Sequence, residues 1–256
     1  MLENIYVNQW GATGPRVVMV HGGAQGTSSA GHRNFREQEP LGGQGWQLVV
    51  PDRPGHGQSP NPGRPDSAED DSLWVADLLG DGAHLLGHSF GGLVALFAAG
   101  RRPEAVRSLT LIEPALLQLG ARAPAVRKVL LSMALTMVLP YSKATKAKRV
   151  MKLLGIPDEF ALSKNDHDSL GGALGRAKFP PKKEMRRQVE VVAEHRIPLL
   201  ILSGSSSPAF IATGEIVAEM AGGRHVVTPA EHHFPQWAGA PFNAILADFW
   251  RSAEAR

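Results

Sequence analysis

The chain contains no cysteine, which rules out a thiol nucleophile, a cysteine-ligated zinc and any disulfide. It also has no apolar run long enough to span a bilayer. Residues 1–10 lack the basic segment and apolar core of a secretion signal. A cytoplasmic location with no membrane partner is therefore expected. Charge of one sign is scarce as well: 27 Lys and Arg against 24 Asp and Glu leave a formal net charge of +3. The basic excess gathers in residues 143–152 and 182–187, and no aromatic residues alternate with those cations. The pattern reads as solvated helix faces, and no nucleic-acid partner is expected.

What remains is an ordinary globular composition, 43% hydrophobic and 20% charged over 256 residues. That length suits one large α/β domain or two small ones, and it can bury a core without a metal or a disulfide. Short runs rich in aliphatic and β-branched residues recur at 17–20, 47–50, 83–86, 109–112, 199–202 and 225–227. Their near-continuous apolar character means that both faces are covered, as in a parallel sheet between helices. Residues 4–10 alternate and read as an edge strand. Helical patterns lie between the runs, at 67–79, 90–101, 208–221 and 241–253, the last two with an early proline. Residues 115–196 break this rhythm with helical patterns only, at 126–139, 142–154 and 181–195. Such an insertion cannot join the sheet. The expected architecture is a mostly parallel α/β sheet flanked by helices, built from 1–114 and 197–256, with 115–196 as a helical cap.

The most informative stretch is 83–93, centred on Gly87-His88-Ser89-Phe90-Gly91. An apolar strand runs directly into a helix of small residues. A serine at that junction must sit on a sharp, strained turn, with glycines on either side where the strand and helix crowd together. The turn lifts the hydroxyl above the sheet, and the helix start directs backbone N–H groups at the same point. A phosphate-binding glycine turn is the competing reading, but the spacing fits neither G-x-G-x-x-G nor the P-loop pattern. Ser89 is the expected nucleophile, and the Phe90 N–H is one expected oxyanion donor.

With this elbow the sequence resembles the α/β-hydrolase superfamily. His21-Gly22-Gly23 is similar to its oxyanion loop, and the run from Asp52 to Ser59, D-R-P-G-H-G-Q-S, to its D-x-x-G-x-G-x-S loop. The resemblance implies Gly23 as the second oxyanion donor, ahead of Ala24 and Gln25; a mere strand-end turn is the plainer alternative. It also implies a histidine base in the loop before the last helix. There His233-Phe234-Pro235 matches the family pattern better than His232 does. His21, His56 and His88 read as structural and His84 as remote, while Asp52 is expected to accept backbone N–H bonds in its turn.

One departure matters. Where the family commonly places its acid, in a Gly-x-x-Asp turn, this chain has Gly204-Ser205-Ser206-Ser207. Serine cannot orient an imidazole or stabilise its cation as a carboxylate does. Glu113, at the end of the strand following the Ser89 strand, is the best substitute, since adjacent strands lie about 4.8 Å apart. Some superfamily members carry the acid there. The alternatives are Glu113 paired with a cap arginine, Glu231 as the acid, or a Ser–His dyad. The resemblance implies a carboxylic ester or lactone as small-molecule substrate and an acyl-enzyme intermediate, with no cofactor and no metal, in a monomer or homodimer. Carbon–carbon bond hydrolysis and a non-catalytic ligand-binding role are the alternatives. Leu116, Leu117, Met133, Met137 and Phe160 are candidate pocket residues, or plain helix packing.

Overall fold

The computed structural model describes residues 5–25, 27–157 and 164–255, with the backbone alone at 164 and 165. Its centre is a seven-stranded sheet. The strands are β1 (Val7–Trp10), β2 (Arg16–Val20), β3 (Gln47–Pro51), β4 (Ala83–His88), β5 (Val106–Ile112), β6 (Leu199–Gly204) and β7 (Arg224–Thr228). They lie in the order β1-β3-β2-β4-β5-β6-β7, with only β1 antiparallel. The apolar runs read from sequence all lie within strands, and the alternating edge strand begins at Val7; residue 4 lies outside the described residues.

Alternate residues of each inner strand feed two cores, which explains their unbroken apolar character. Val18, Leu85, Leu109, Leu111 and Ile201 face α2 (Ala68–Leu78), α3 (Phe90–Arg101), α7 (Lys182–Glu194) and α8 (Pro208–Ala221). Val17, Met19, Leu86, Ile112 and Leu202 face the other way, onto Phe35, Trp46 and α9 (Ala240–Glu254) with its buried Phe242, Leu246 and Trp250. α3 is apolar all round because it is enclosed all round: every residue from 90 to 99 is buried. Ser67 caps α2 by accepting the Asp70 N–H at 3.2 Å, and Pro208 opens α8.

The segment between β5 and β6 carries α4 (Pro124–Val138), α5 (Lys143–Leu154), α6 (Lys164–Leu174) and α7. Its described residues hold no strand, only an isolated bridge between Lys178 and Ser67. Met185, Val189 and Val192 of α7 join the same buried cluster as α2 and α3. α4, α5 and α6 contribute no residue to that cluster. Two elements were not legible in the sequence: the short α1 (Gly31–Asn34) with the 3₁₀ stretch Arg36–Gln44 behind it, and α6. No described helix is long and apolar enough to cross a membrane.

Candidate active site

Ser89 sits where β4 ends and α3 begins, with φ 54° and ψ −120°. Space explains the flanking glycines. A Cβ on Gly87 would lie 2.4 Å from the Gly91 carbonyl oxygen, and one on Gly91 would lie 2.2 Å from that of Val20. A serine at a helix N-cap usually turns its hydroxyl back onto the first helical N–H groups. Here the strained backbone turns Oγ away from them. It lies 2.9 Å from Nε2 of His233 instead.

His233 precedes the last helix and is buried. Its Nδ1 is 2.5 Å from Oε2 of Glu113, whose other oxygen accepts the Gly204 N–H at 2.8 Å. Register explains the meeting. His88 of β4 pairs with Ile112 of β5, so Ser89 and Glu113 are the next residues off two adjacent strand ends. Gly204 ends β6, the strand after which the family's usual acid would stand; its backbone holds the acid supplied by β5. Glu113 itself has φ 40°, a costly conformation for a side chain larger than glycine. His232 points elsewhere: its Nδ1 accepts the Phe234 N–H at 3.2 Å, and its ring lies edge-on to Trp237. Glu231 is exposed.

The His21-Gly22-Gly23 loop is pinned by its own histidine. His21 Nε2 accepts the Arg53 N–H at 2.9 Å, so Nδ1 carries the proton and donates to the Gly22 carbonyl at 2.6 Å. Gly23, at φ 96°, lies where a Cβ would come 2.2 Å from Ser29 Oγ. Gly23, Ala24 and Phe90 all line the cavity beside Ser89. Phe90 is the first residue of α3, so its N–H has no acceptor within the helix. The Gln25 N–H is already committed to Asp66 Oδ2 at 3.0 Å. The family's D-x-x-G-x-G-x-S turn closes on Asp52, which accepts the N–H groups of Gly31 and Gln58 at 2.7 and 2.9 Å.

A cavity of about 240 Å³ opens onto Ser89. Ser89, His88, His233, Asp66 and Gln118 are its polar lining, and the remainder is mostly apolar: Leu117 and Phe210 from the core, Leu130 and Met133 of α4, Val150 and Met151 of α5, Leu170 and Leu174 of α6. Of the residues picked out in the sequence, Leu117 and Met133 line it. Leu116 is wholly buried in the core and Met137 lies off the wall. Phe160 lies outside the described residues. Among the described residues no group of three or more His, Cys, Asp or Glu is placed to hold a metal ion.

A family model described as the alpha/beta hydrolase fold matches residues 15–140, which carry the oxyanion loop, the Asp52 turn, the elbow and Glu113. The chain belongs to the α/β-hydrolase superfamily. Among curated proteins, Lipase LipV of Mycobacterium tuberculosis is 33% identical over 126 residues, 48% of this chain and 46% of that protein. The pimeloyl-[acyl-carrier protein] methyl ester esterase of Neisseria meningitidis is 36% identical over 96 residues, 38% of this chain and 35% of that protein. The chain thus spans less than half the length of the curated relatives it matches. A solved meta-cleavage product hydrolase from Pseudomonas fluorescens superposes with a TM-score of 0.70 at 19% identity, covering 97% of this chain and 94% of that one.

Within this hydrolase fold the parts played by Arg53 and Gly155 went unseen in the sequence, and His88 was legible only as structural. Arg53 is completely buried. It binds Asp71 at 3.1 Å, pairs with Asp66, donates to the Gly23 carbonyl at 3.3 Å and lies 4.5 Å over the Phe90 ring. One guanidinium thus braces both residues expected to supply oxyanion donors. His88 accepts from Asn34 Nδ2 at 3.1 Å and donates through Nε2 to the His233 carbonyl at 2.8 Å, while the His233 N–H donates to the Gly155 carbonyl at 2.8 Å. His233 is therefore clamped from the elbow on one side and from the end of α5 on the other. A buried arginine must be paired, which is the one signal that could have marked Arg53. The partners of His88 and Gly155 lie far along the chain and left no local trace.

Burial holds the structural histidines neutral. It pushes His21 well below the ordinary imidazole value, helped by the nearby His56 and Arg53, and pushes His88 down likewise beside His233. His56 falls to about 3, through burial and then the Arg53 charge. His84, at the far end of β4 and bonded to Ser108 at 2.8 Å, falls to about 4 through burial.

Proposed function

We propose that the protein is a serine hydrolase that cleaves a carboxylic ester or lactone through an acyl-enzyme, with Ser89 as nucleophile, His233 as base and Glu113 as the acid that orients it. The observation that carries this reading is the unbroken row from Ser89 Oγ through both nitrogens of His233 to Glu113, at 2.9 and 2.5 Å. His233 Nε2 takes the Ser89 proton as Oγ adds to the carbonyl carbon. Glu113 stabilises the imidazolium so formed. The Phe90 and Gly23 N–H groups receive the oxyanion, each contributing about 3 kcal/mol. His233 then returns its proton to the leaving oxygen, the C–O bond breaks, and the acyl group stays on Ser89. Water, deprotonated by the same nitrogen, adds to the acyl carbon and releases the acid with Ser89 restored.

The superfamily relatives named as lipase and methyl ester esterase support an ester substrate. The apolar cavity supports an acyl group without charge, under a cap formed by α4, α5 and α6. At about 25 Å³ per carbon, as a benzene-sized cavity implies, its 240 Å³ takes an acyl chain of about nine carbons. The test is turnover of neutral acyl esters and lactones by the wild-type protein and by Ser89→Ala. The substitution is expected to abolish turnover without changing the melting temperature; a Ser89→Ala protein that still hydrolyses them refutes the assignment.

A further inference from the structure

The solvent face of α4 is apolar. Leu131, Leu135 and Val138 are 59%, 60% and 83% exposed, and Leu139 extends the row past the helix end. At 3.6 residues per turn, Arg127, Lys128, Leu131, Leu135 and Val138 fall within an arc of roughly 120°. The strip thus reads as two cations followed by three large aliphatic side chains, all exposed. The other side of the same helix, through Leu130 and Met133, lines the cavity. A single exposed leucine has no meaning, but a register of them on one helix face marks a contact surface.

Charge says what kind. Residues 114–157 contain eight of the 27 cationic residues and none of the 24 acidic ones, leaving 19 cations against 24 acids elsewhere. Lys148, Arg149 and Lys152 share the exposed face of α5. That helix is fastened to the C-terminal end of α4: Lys146 Nζ donates to the Met137 carbonyl at 2.7 Å, Arg149 Nε to Thr136 Oγ1 at 3.4 Å, and the Arg149 guanidinium lies over Tyr141. A second copy of the chain fits badly here, because docking through this face would set its cations against their own copies.

We infer that this face docks on an anionic lipid bilayer, with Leu131, Leu135 and Val138 entering the acyl boundary and Arg127, Lys128, Lys148 and Lys152 meeting the headgroups. Aliphatic side chains on one helix face, with cations and no acids on α4 and α5, make up the chemistry of an interfacial helix. Such docking departs from the sequence expectation of solvated helix faces and no membrane partner, in that the contact is peripheral and requires no spanning segment. It is also independent of the hydrolytic reading, since none of the docking residues lines the cavity.

The test is sedimentation of the whole chain with phosphatidylcholine vesicles, with and without roughly a third phosphatidylglycerol, at low and high salt. Binding is expected on the anionic vesicles and is expected to weaken with salt. Leu135→Glu/Val138→Glu should lower the partition at least about tenfold. Lys148→Gln/Lys152→Gln should lower it about fivefold per cation removed. Both variants should keep the wild-type melting temperature, and Ser89→Ala should bind as the wild type does, separating docking from hydrolysis. No vesicle binding at low salt, or binding indifferent to lipid charge or to the glutamates, overturns the inference. So does a dimer split by Leu135→Glu/Val138→Glu, or capture of an acidic protein through this face, where vesicles are not bound.

Discussion

A hydroxyl that caps its own helix cannot also attack a carbonyl, and the backbone at Ser89 resolves that competition by strain: φ 54° carries Oγ away from the first turn of α3 and toward His233. Glu113 completes the row with both oxygens engaged, one by His233 and one by the Gly204 N–H. Glu113→Gln is therefore expected to fold normally, since an amide oxygen can still accept from Gly204. It should lower kcat for an ester by about 10⁴-fold, because the amide cannot stabilise the imidazolium or hold its tautomer. A kcat within about tenfold of wild type would remove Glu113 from the chemistry. Ser89, His233 and Glu113 could be read from the sequence because each lies at a punctuation point, an elbow, a loop before the last helix, or a strand end followed by proline. Arg53 could not, and His88 could be read as structural but not assigned its contact, because what defines them is a partner: Asp66 and Asp71 across a loop, and a carbonyl 145 residues away.

At the scale of elements, three parallel strand ends deliver the site: β4 gives Ser89, β5 gives Glu113 and β6 gives the N–H that steadies it. Strands buried on both faces announce themselves in composition, which is why the sheet was legible. α6 was not. Gly171 and Gly172 dilute its pattern, yet Gly171 is the point at which α6 meets α5: a Cβ there would lie 2.0 Å from the Lys143 carbonyl. The residue that hides the helix from the sequence is the one that lets it pack. Together α4, α5 and α6 supply seven apolar residues of the cavity wall, so on the proposed reading they are expected to set acyl preference. With p-nitrophenyl esters, kcat/KM is expected to rise with acyl length to an optimum near about nine carbons and then fall. Met151→Trp, which adds bulk to the α5 wall, should move that optimum to shorter chains. An optimum at acetate in the wild type, or one that Met151→Trp leaves in place, would contradict the role given to this wall.

Across the whole molecule, four imidazoles are held neutral inside the fold: His21, His56, His84 and His88. The unfolded chain protonates them near pH 6.5, whereas the native His56 and His84 wait until about 3 and about 4. Because the unfolded state binds more protons over that window, stability is complete above pH 6.5 and is lost as pH falls. Each histidine held neutral contributes about 1.4 kcal/mol per pH unit, so His56 and His84 alone contribute about 3 kcal/mol per unit, and His21 and His88 act in the same direction. Against a typical total of 5–15 kcal/mol, a marked loss of stability is expected by about two units below pH 6.5. Denaturant titrations between pH 7.5 and 4.5 measure this. A stability that stays flat from pH 7 to 5 would mean that these rings are not held neutral.

The central claim concerns the reactivity of one hydroxyl, and intact-mass analysis with peptide mapping after exposure to a fluorophosphonate tests it most directly. The account predicts a single covalent adduct on Ser89, formed much more slowly by Glu113→Gln and not at all by His233→Ala. An unlabelled Ser89 in folded protein, or labelling at the same rate without His233, would contradict it.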